Sequence, residues 1–214
     1  MERLRVVNLG LPKSGTTTLG QALTESGLHT VDHRLHKHLT RKAELTGQFV
    51  AHVMYEDFFR CGDPLARLDE FDGFGEISAL HDGNPAYPQM DPKMIEAIAR
   101  HHPGVRFVAT WRDPAALSRS MVKWNNLVRR LKRNSVPGLP VGYGGEEHER
   151  LAWIEGHYEF LDTLFGGDDM YLRLDVADPD VRQDLGRHIG RRIAWWGTAN
   201  ENPAADDGDD AGTA

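Results

Sequence analysis

The residues best suited to chemistry in this sequence crowd into one short stretch, Gly10-Leu11-Pro12-Lys13-Ser14-Gly15-Thr16-Thr17-Thr18. An apolar, β-branched run from Leu4 to Gly10 precedes it. After it, Leu19, Ala22, Leu23 and Ser26 mark one face of a helix that Gly27 ends. A tight loop between a strand and a helix N-terminus turns several backbone N–H groups toward one point, and the helix dipole adds positive charge there. Glycines at 10 and 15 let the chain approach an anion closely. Thr16 and Thr17 add hydroxyl donors, and Lys13 adds a full cation.

The order of these residues decides which anion fits. A nucleotide triphosphatase loop reads G-x-x-x-x-G-K-[ST], and its lysine reaches the β- and γ-phosphates. Here the glycine spacing is kept, but Thr16 stands where that lysine belongs and Lys13 sits in mid-loop. Such a loop suits a single phosphate, with the cation beside a neighbouring bridging oxygen.

Gly-x-Pro-Lys-Ser-Gly-Thr-Thr after a first strand resembles the 5′-phosphosulfate-binding loop of sulfotransferases that use 3′-phosphoadenosine 5′-phosphosulfate (PAPS). The resemblance implies that Pro12, Lys13, Ser14, Gly15, Thr16 and Thr17 bind the donor, with Lys13 stabilising the phosphate–sulfate bridge. It also gives meaning to Phe107-Val-Ala-Thr-Trp-Arg112-Asp-Pro114, which alone would only cap a helix. In that family an arginine at a strand end and a serine in the next helix hold the 3′-phosphate. Arg112 and Ser120, eight residues apart, fit those roles, with Ser120 preferred to Ser118. A fork-shaped cation and a hydroxyl donor can converge on one phosphate.

A third segment, Phe74-Gly-Glu76-Ile-Ser78-Ala79, resembles the strand on which some members carry a catalytic glutamate and others a histidine. Glu76 is then the expected base, at the crevice where α/β sheets bind ligands. His81 and Asp82 stay open as alternatives. The family's late basic Gly-x-Gly segment is not evident. Gly190-Arg191-Arg192 is either its substitute or the positive charge at a helix C-terminus.

The implied reaction is in-line transfer of a sulfuryl group from PAPS to a hydroxyl or amine of a small-molecule or glycan acceptor, leaving adenosine 3′,5′-bisphosphate. Lys13 and Glu76 are the catalytic residues. No metal is required, because Lys13 meets the charge on the leaving oxygen. Two other readings compete: a P-loop small-molecule kinase, and a catalytically silent nucleotide-binding protein. Neither the acceptor's identity nor the oligomeric state is specified by these residues.

Elements that could position these groups alternate along the chain. Short strands are expected near 4–10, 29–32, 74–79, 104–111 and 170–174. Short helices are expected near 39–46 and 50–60, and another opens at Pro92 with Asp91 as its cap. Leu117, Met121, Trp124, Val128 and Leu131 predict one long helix, and Leu151, Ile154, Tyr158, Leu161 and Phe165 another. A last helix covers 179–189. The alternation predicts a three-layer α/β/α domain around a mostly parallel sheet, P-loop nucleotide-hydrolase-like, over residues 1–198. Segments 33–72 and 134–146 are expected to shape the acceptor pocket.

The 214 residues suffice for one well-packed domain. Net charge is −7, and Glu201, Asp206, Asp207, Asp209 and Asp210 concentrate most of it in a tail, 199–214, expected to be disordered. The single cysteine, Cys61, reads as a partly buried small hydrophobe and suits a reducing compartment. No run is long enough for a membrane span, and the N-terminal apolar run is too short for a signal peptide, so a cytoplasmic protein is expected. His29, His33, His36 and His38 match no metal-ligand signature. Arg119, Lys123, Arg129, Arg130, Lys132 and Arg133 form an acid-free basic run, read as a solvated helix face or an attractor for anions. The acidic chain argues against nucleic acid as a partner. Trp195 and Trp196 are expected to pack at the domain's end.

Overall fold

The computed structural model describes residues 2–81, 83–124 and 126–199. Asp82 and the acidic tail from residue 200 onward lie outside the described residues. The two runs richest in buried apolar residues form the middle of a sheet, as parallel strands covered on both faces do. They are β1 (Arg5–Asn8), buried throughout, and β4 (Val105–Trp111). β3 (Gly73–Phe74) pairs with β1 on its other side, and β2 (Thr30–Val31) extends that edge. β5 (Tyr171–Asp175) pairs with β4. The order is β2-β3-β1-β4-β5, and every pairing is parallel.

Successive strand residues point to opposite faces. Val7, Phe74, Phe107 and Ala109 enter the larger core, with Val50, Met94, Leu117, Leu127 and Ile154. Those partners come from α2 (Val50–Cys61), α3 (Pro92–His101), α4 (Pro114–Lys123), α5 (Leu127–Arg133) and α6 (Glu147–Phe165). Val6 and Val108 face the other way, onto Leu19, Leu23, Leu185 and Ile189. These belong to α1 (Thr16–Glu25) and α7 (Val181–Ile189). Helices on both faces give the expected three-layer α/β/α arrangement, with the sheet parallel throughout. No helix among the described residues is long and apolar enough to cross a membrane.

Three expectations change here. The stripe from Leu117 to Leu131 is not one helix, because α4 stops at Lys123 and α5 begins at Leu127. Asn126 caps α5 with φ 64°, a left-handed conformation that asparagine tolerates better than most residues. The break brings Leu127 into the core and leaves Trp124 39% exposed. The strand expected over 74–79 ends at Phe74, so Glu76 stands just past its tip. A Cβ on Gly75 would lie 3.1 Å from the Cα of Gly20, so the chain presses on α1 there. Cys61 is exposed at the end of α2 rather than partly buried.

Candidate active site

Every strand delivers its next residues to the same edge of the sheet. The β1–α1 loop emerges in the middle. Glu76 follows β3 on one side, and Arg112 follows β4 on the other. Asp32 and His33 follow β2, and Val176 follows β5. Together they wall a cleft of about 790 Å³, at the carboxyl ends of the strands where open α/β sheets bind ligands.

The loop is shaped by its backbone. Lys13 and Gly15 both have positive φ, 72° and 114°. A non-glycine residue held there costs about 1–3 kcal/mol, and such outliers gather at ligand clamps. At Gly15 a side chain is excluded twice over, since a Cβ would lie 2.8 Å from Cγ1 of Val176. Gly15 occupies the N-cap of α1, and the first turn has neither a side-chain cap nor an acid. Its N–H groups are the orphan donors of a helix start, with the positive end of the dipole behind them. Thr16, Thr17 and Thr18 line the cleft at this turn, as do Pro12 and Lys13.

Ser14 does not face the cleft. It is fully buried, its hydroxyl lies 2.7 Å from that of Thr110, and its N–H donates to the carbonyl of Leu11. It belongs to a support that the sequence reading missed. Asn8, buried in β1, donates through Nδ2 to the carbonyl of Gly75 at 2.7 Å. Its Oδ1 accepts from the N–H groups of Gly10 at 2.9 Å and Thr110 at 3.2 Å. One amide thus ties the ends of β3, β1 and β4 together beneath the loop. An asparagine directly after the buried valines of β1 was the signal for it. From α6, His157 Nε2 donates to the carbonyl of Leu9 at 2.8 Å, and Tyr158 donates to that of Thr110 at 2.7 Å.

Arg112 and Ser120 both line the cleft, and Nη1 of Arg112 donates to the carbonyl of Lys13 at 3.4 Å. Ser118 is buried instead, accepting from Nε of Arg150 at 2.9 Å. The Lys13 ammonium lies 4.8 Å from the centroid of Trp124, and the guanidinium of Arg130 faces the same ring at 5.4 Å. Burial lowers the pKa of Lys13; Glu76 opposes that effect and Arg112 adds to it. Of the basic run, only Arg130 reaches the cleft, anchored to the carbonyl of Leu80 at 3.1 Å, while Arg119, Lys123, Arg129, Lys132 and Arg133 are exposed.

Glu76 sits on the opposite wall. Its Oε2 accepts from Thr16 at 3.0 Å and its Oε1 from Ser78 at 2.9 Å. Burial, then the charge of Asp32, raises its pKa, and both hydroxyls oppose the rise. The Nδ1 of His33 lies 3.4 Å from Asp32, whose hydrogen bond raises the histidine's pKa. His81 is exposed on the same wall, near the ring of Phe49. From 33–72, His33, Arg34 and Phe49 line the cleft; 134–146 contributes no residue to it among those described.

Other expected contributors lie elsewhere. His36 and His38 stack on each other, exposed. Among the described residues no three His, Cys, Asp or Glu side chains gather as a metal site would need. Arg191 and Arg192 line a separate hollow, where Arg191 donates to the carbonyl of Ser26, so they do not reach this cleft. Trp195 and Trp196 pack on the smaller core, and Trp196 also joins the cleft wall with Gly197 and Thr198.

A family model described as a sulfotransferase domain matches residues 5–167 of the chain. No curated protein matches it.

Proposed function

Because the chain belongs to the sulfotransferase family, we propose that it transfers a sulfuryl group from PAPS to a hydroxyl or amine of a small-molecule or glycan acceptor. One observation carries this reading. A cation held on a left-handed backbone and a carboxylate of raised pKa flank one uncapped, acid-free helix start. That start fits a 5′-phosphate, and the donor supplies a sulfuryl group on a phosphate leaving oxygen.

The chain's own residues then have separate tasks. The first turn of α1, with Thr16 and Thr17, seats the 5′-phosphate. Lys13 leans from Trp124 toward the bridging oxygen and meets the charge that grows there, so no metal is needed for that purpose. Arg112 and Ser120 grip the 3′-phosphate, which distinguishes PAPS from ATP. Glu76 takes the acceptor's proton, and its raised pKa makes it a stronger base than a solvated carboxylate. Arg34, Phe49, His33 and His81 face the acceptor. The lone cysteine suits the cytoplasm, and we take the catalytic domain to extend to residue 198, with an acidic tail beyond.

The test is transfer of label from PAPS to a panel of hydroxyl and amine acceptors, alongside calorimetric titration with adenosine 3′,5′-bisphosphate and with ATP–Mg²⁺. The bisphosphate is expected to bind more tightly, and label to transfer. Tighter binding of ATP–Mg²⁺ would point to a kinase, and bisphosphate binding without turnover on any acceptor would point to a silent binding protein.

A further inference from the structure

Thr16 stands in both halves of the site. It opens α1 and lines the cleft with Thr17 and Thr18, although it is almost wholly buried. Its hydroxyl donates to Oε2 of Glu76 at 3.0 Å. The close approach of Gly75 to Gly20 holds the two segments together. A threonine hydroxyl has one proton to donate. A phosphate oxygen seated on the first turn competes for that proton, and two anions cannot both hold it.

Resting on the reading of this loop as the donor-phosphate site and of Glu76 as the proton acceptor, we propose that Thr16 is a positioning residue that couples the two. Its hydroxyl serves Glu76 until a donor phosphate claims it, and only then does Oε2 of Glu76 turn to the acceptor. Glu76 keeps its other hydroxyl, because Ser78 donates to Oε1 from outside the loop. The titratable groups whose charge couples to Glu76 are Lys13 from the loop, Asp32 and His33 from the end of β2, and Tyr87 ahead of α3. None of these supplies a donor to Oε2, so losing the Thr16 proton is the change that acts there directly.

Two consequences follow. A carboxylate that loses a hydrogen-bond donor holds a proton more readily, and the arriving phosphate charge acts in the same direction. Donor binding then draws a proton onto Glu76 at pH values near its pKa. Acceptor turnover becomes ordered, with donor first.

The experiment is calorimetric titration of the full chain with adenosine 3′,5′-bisphosphate in buffers of different ionisation enthalpy, which counts protons taken up on binding. The proteins are wild type, Glu76→Gln, Thr16→Ser and Thr16→Val, with Thr16→Ala in reserve should the valine variant fail to fold. Wild type is expected to take up more proton than Glu76→Gln. Thr16→Ser should keep that excess and Thr16→Val should show less. An excess in Thr16→Val or Thr16→Ala equal to that of wild type would overturn the coupling. So would nucleotide binding with no excess over Glu76→Gln, although the phosphate site would then stand. Failure of wild type to bind the bisphosphate at all would remove the site reading itself, and the coupling with it.

Discussion

Lys13 rests its ammonium 4.8 Å from the centre of the Trp124 ring, and Arg130 approaches the same ring at 5.4 Å. No carboxylate lies within ion-pairing distance of Lys13 among the described residues. The indole face is thus its main anchor, and an exposed cation–π contact is worth about 0.5–1 kcal/mol. Replacing Trp124 with leucine is expected to lower kcat/KM several-fold, while phenylalanine keeps most of it. Thermal unfolding should barely move, because the ring is 39% exposed. Turnover of the leucine variant at the wild-type rate would show that the ring does not place Lys13.

Glu76 carries the second prediction. Glu76→Gln keeps the side chain's size and can still accept from one of the two hydroxyls, the other having to turn and accept from its NH2, but it cannot take up a proton, so kcat should fall by about 10²–10⁴-fold. A base works deprotonated, and burial raises the pKa of this one. Wild-type activity is therefore lost on acidification at a pH above the ordinary carboxylate range, and the glutamine variant's residual rate lacks that limb. A pH–rate profile unchanged by the substitution would assign the proton to another group, with His33 and His81 next on that wall.

Ser14 and Thr17 look alike in the sequence but differ in the structure, and the difference can be measured. Ser14→Ala removes one buried partner of Thr110, whose hydroxyl keeps Asn8 as another, and should cost about 0.5–1.5 kcal/mol in urea unfolding. Affinity for the bisphosphate should hardly change. Thr17→Ala removes an exposed hydroxyl on the cleft wall, so stability should shift by no more than about 0.5 kcal/mol. Its affinity should fall several-fold. A reversed pattern would mean that Ser14, not Thr17, meets the nucleotide.

That contrast marks what was legible in the sequence. The loop could be read because its chemistry depends on residue order alone: glycines for approach, a cation out of the triphosphatase position, and a helix after it. Arg112 could be read only through the family resemblance, which places an arginine at a strand end; by itself Arg112-Asp-Pro would merely cap a helix. The side to which a loop hydroxyl turns depends on what lies beneath it, and Thr110 is 96 residues away from Ser14. The helix break at Trp124 was hidden because apolar spacing continued across it, and with it went the choice of Arg130 from six cations. Asn8 had left a trace, a lone amide after two buried valines, but its partners lie at the ends of two other strands.

His157 links the loop to pH-dependent stability. It is buried, its Nε2–H donates to Leu9, and burial pulls its pKa down from 6.5 to about 4. The unfolded chain therefore binds a proton that the folded chain refuses between those two values. Stability rises with pH across that window, and acidification to pH 4 should remove up to about 3 kcal/mol through this residue. Glutamine at 157 retains a donor for Leu9 and does not titrate. Urea unfolding from pH 4 to 7 should give a flatter curve for His157→Gln. An equal slope in both proteins would place the dependence elsewhere.

Arg112 supplies the last prediction, because it touches the loop and is proposed to hold the nucleotide as well. Its Nη1 donates to the carbonyl of Lys13 at 3.4 Å, a long bond that leaves most of the guanidinium's donors for a phosphate. Hydrogen bonds to charged groups contribute about 1.5–3 kcal/mol. Arg112→Ala should therefore weaken adenosine 3′,5′-bisphosphate by roughly 10- to 100-fold. Adenosine 5′-phosphate lacks the second phosphate and should lose much less, so the two affinities, measured by calorimetry, converge in the variant. Lysine at 112 restores the charge but not the two-pronged geometry, and should recover only part of the loss. If both nucleotides weakened equally, Arg112 would be acting through Lys13 and the loop, and the grip on the 3′-phosphate would have to come from Ser120 or Arg130 instead.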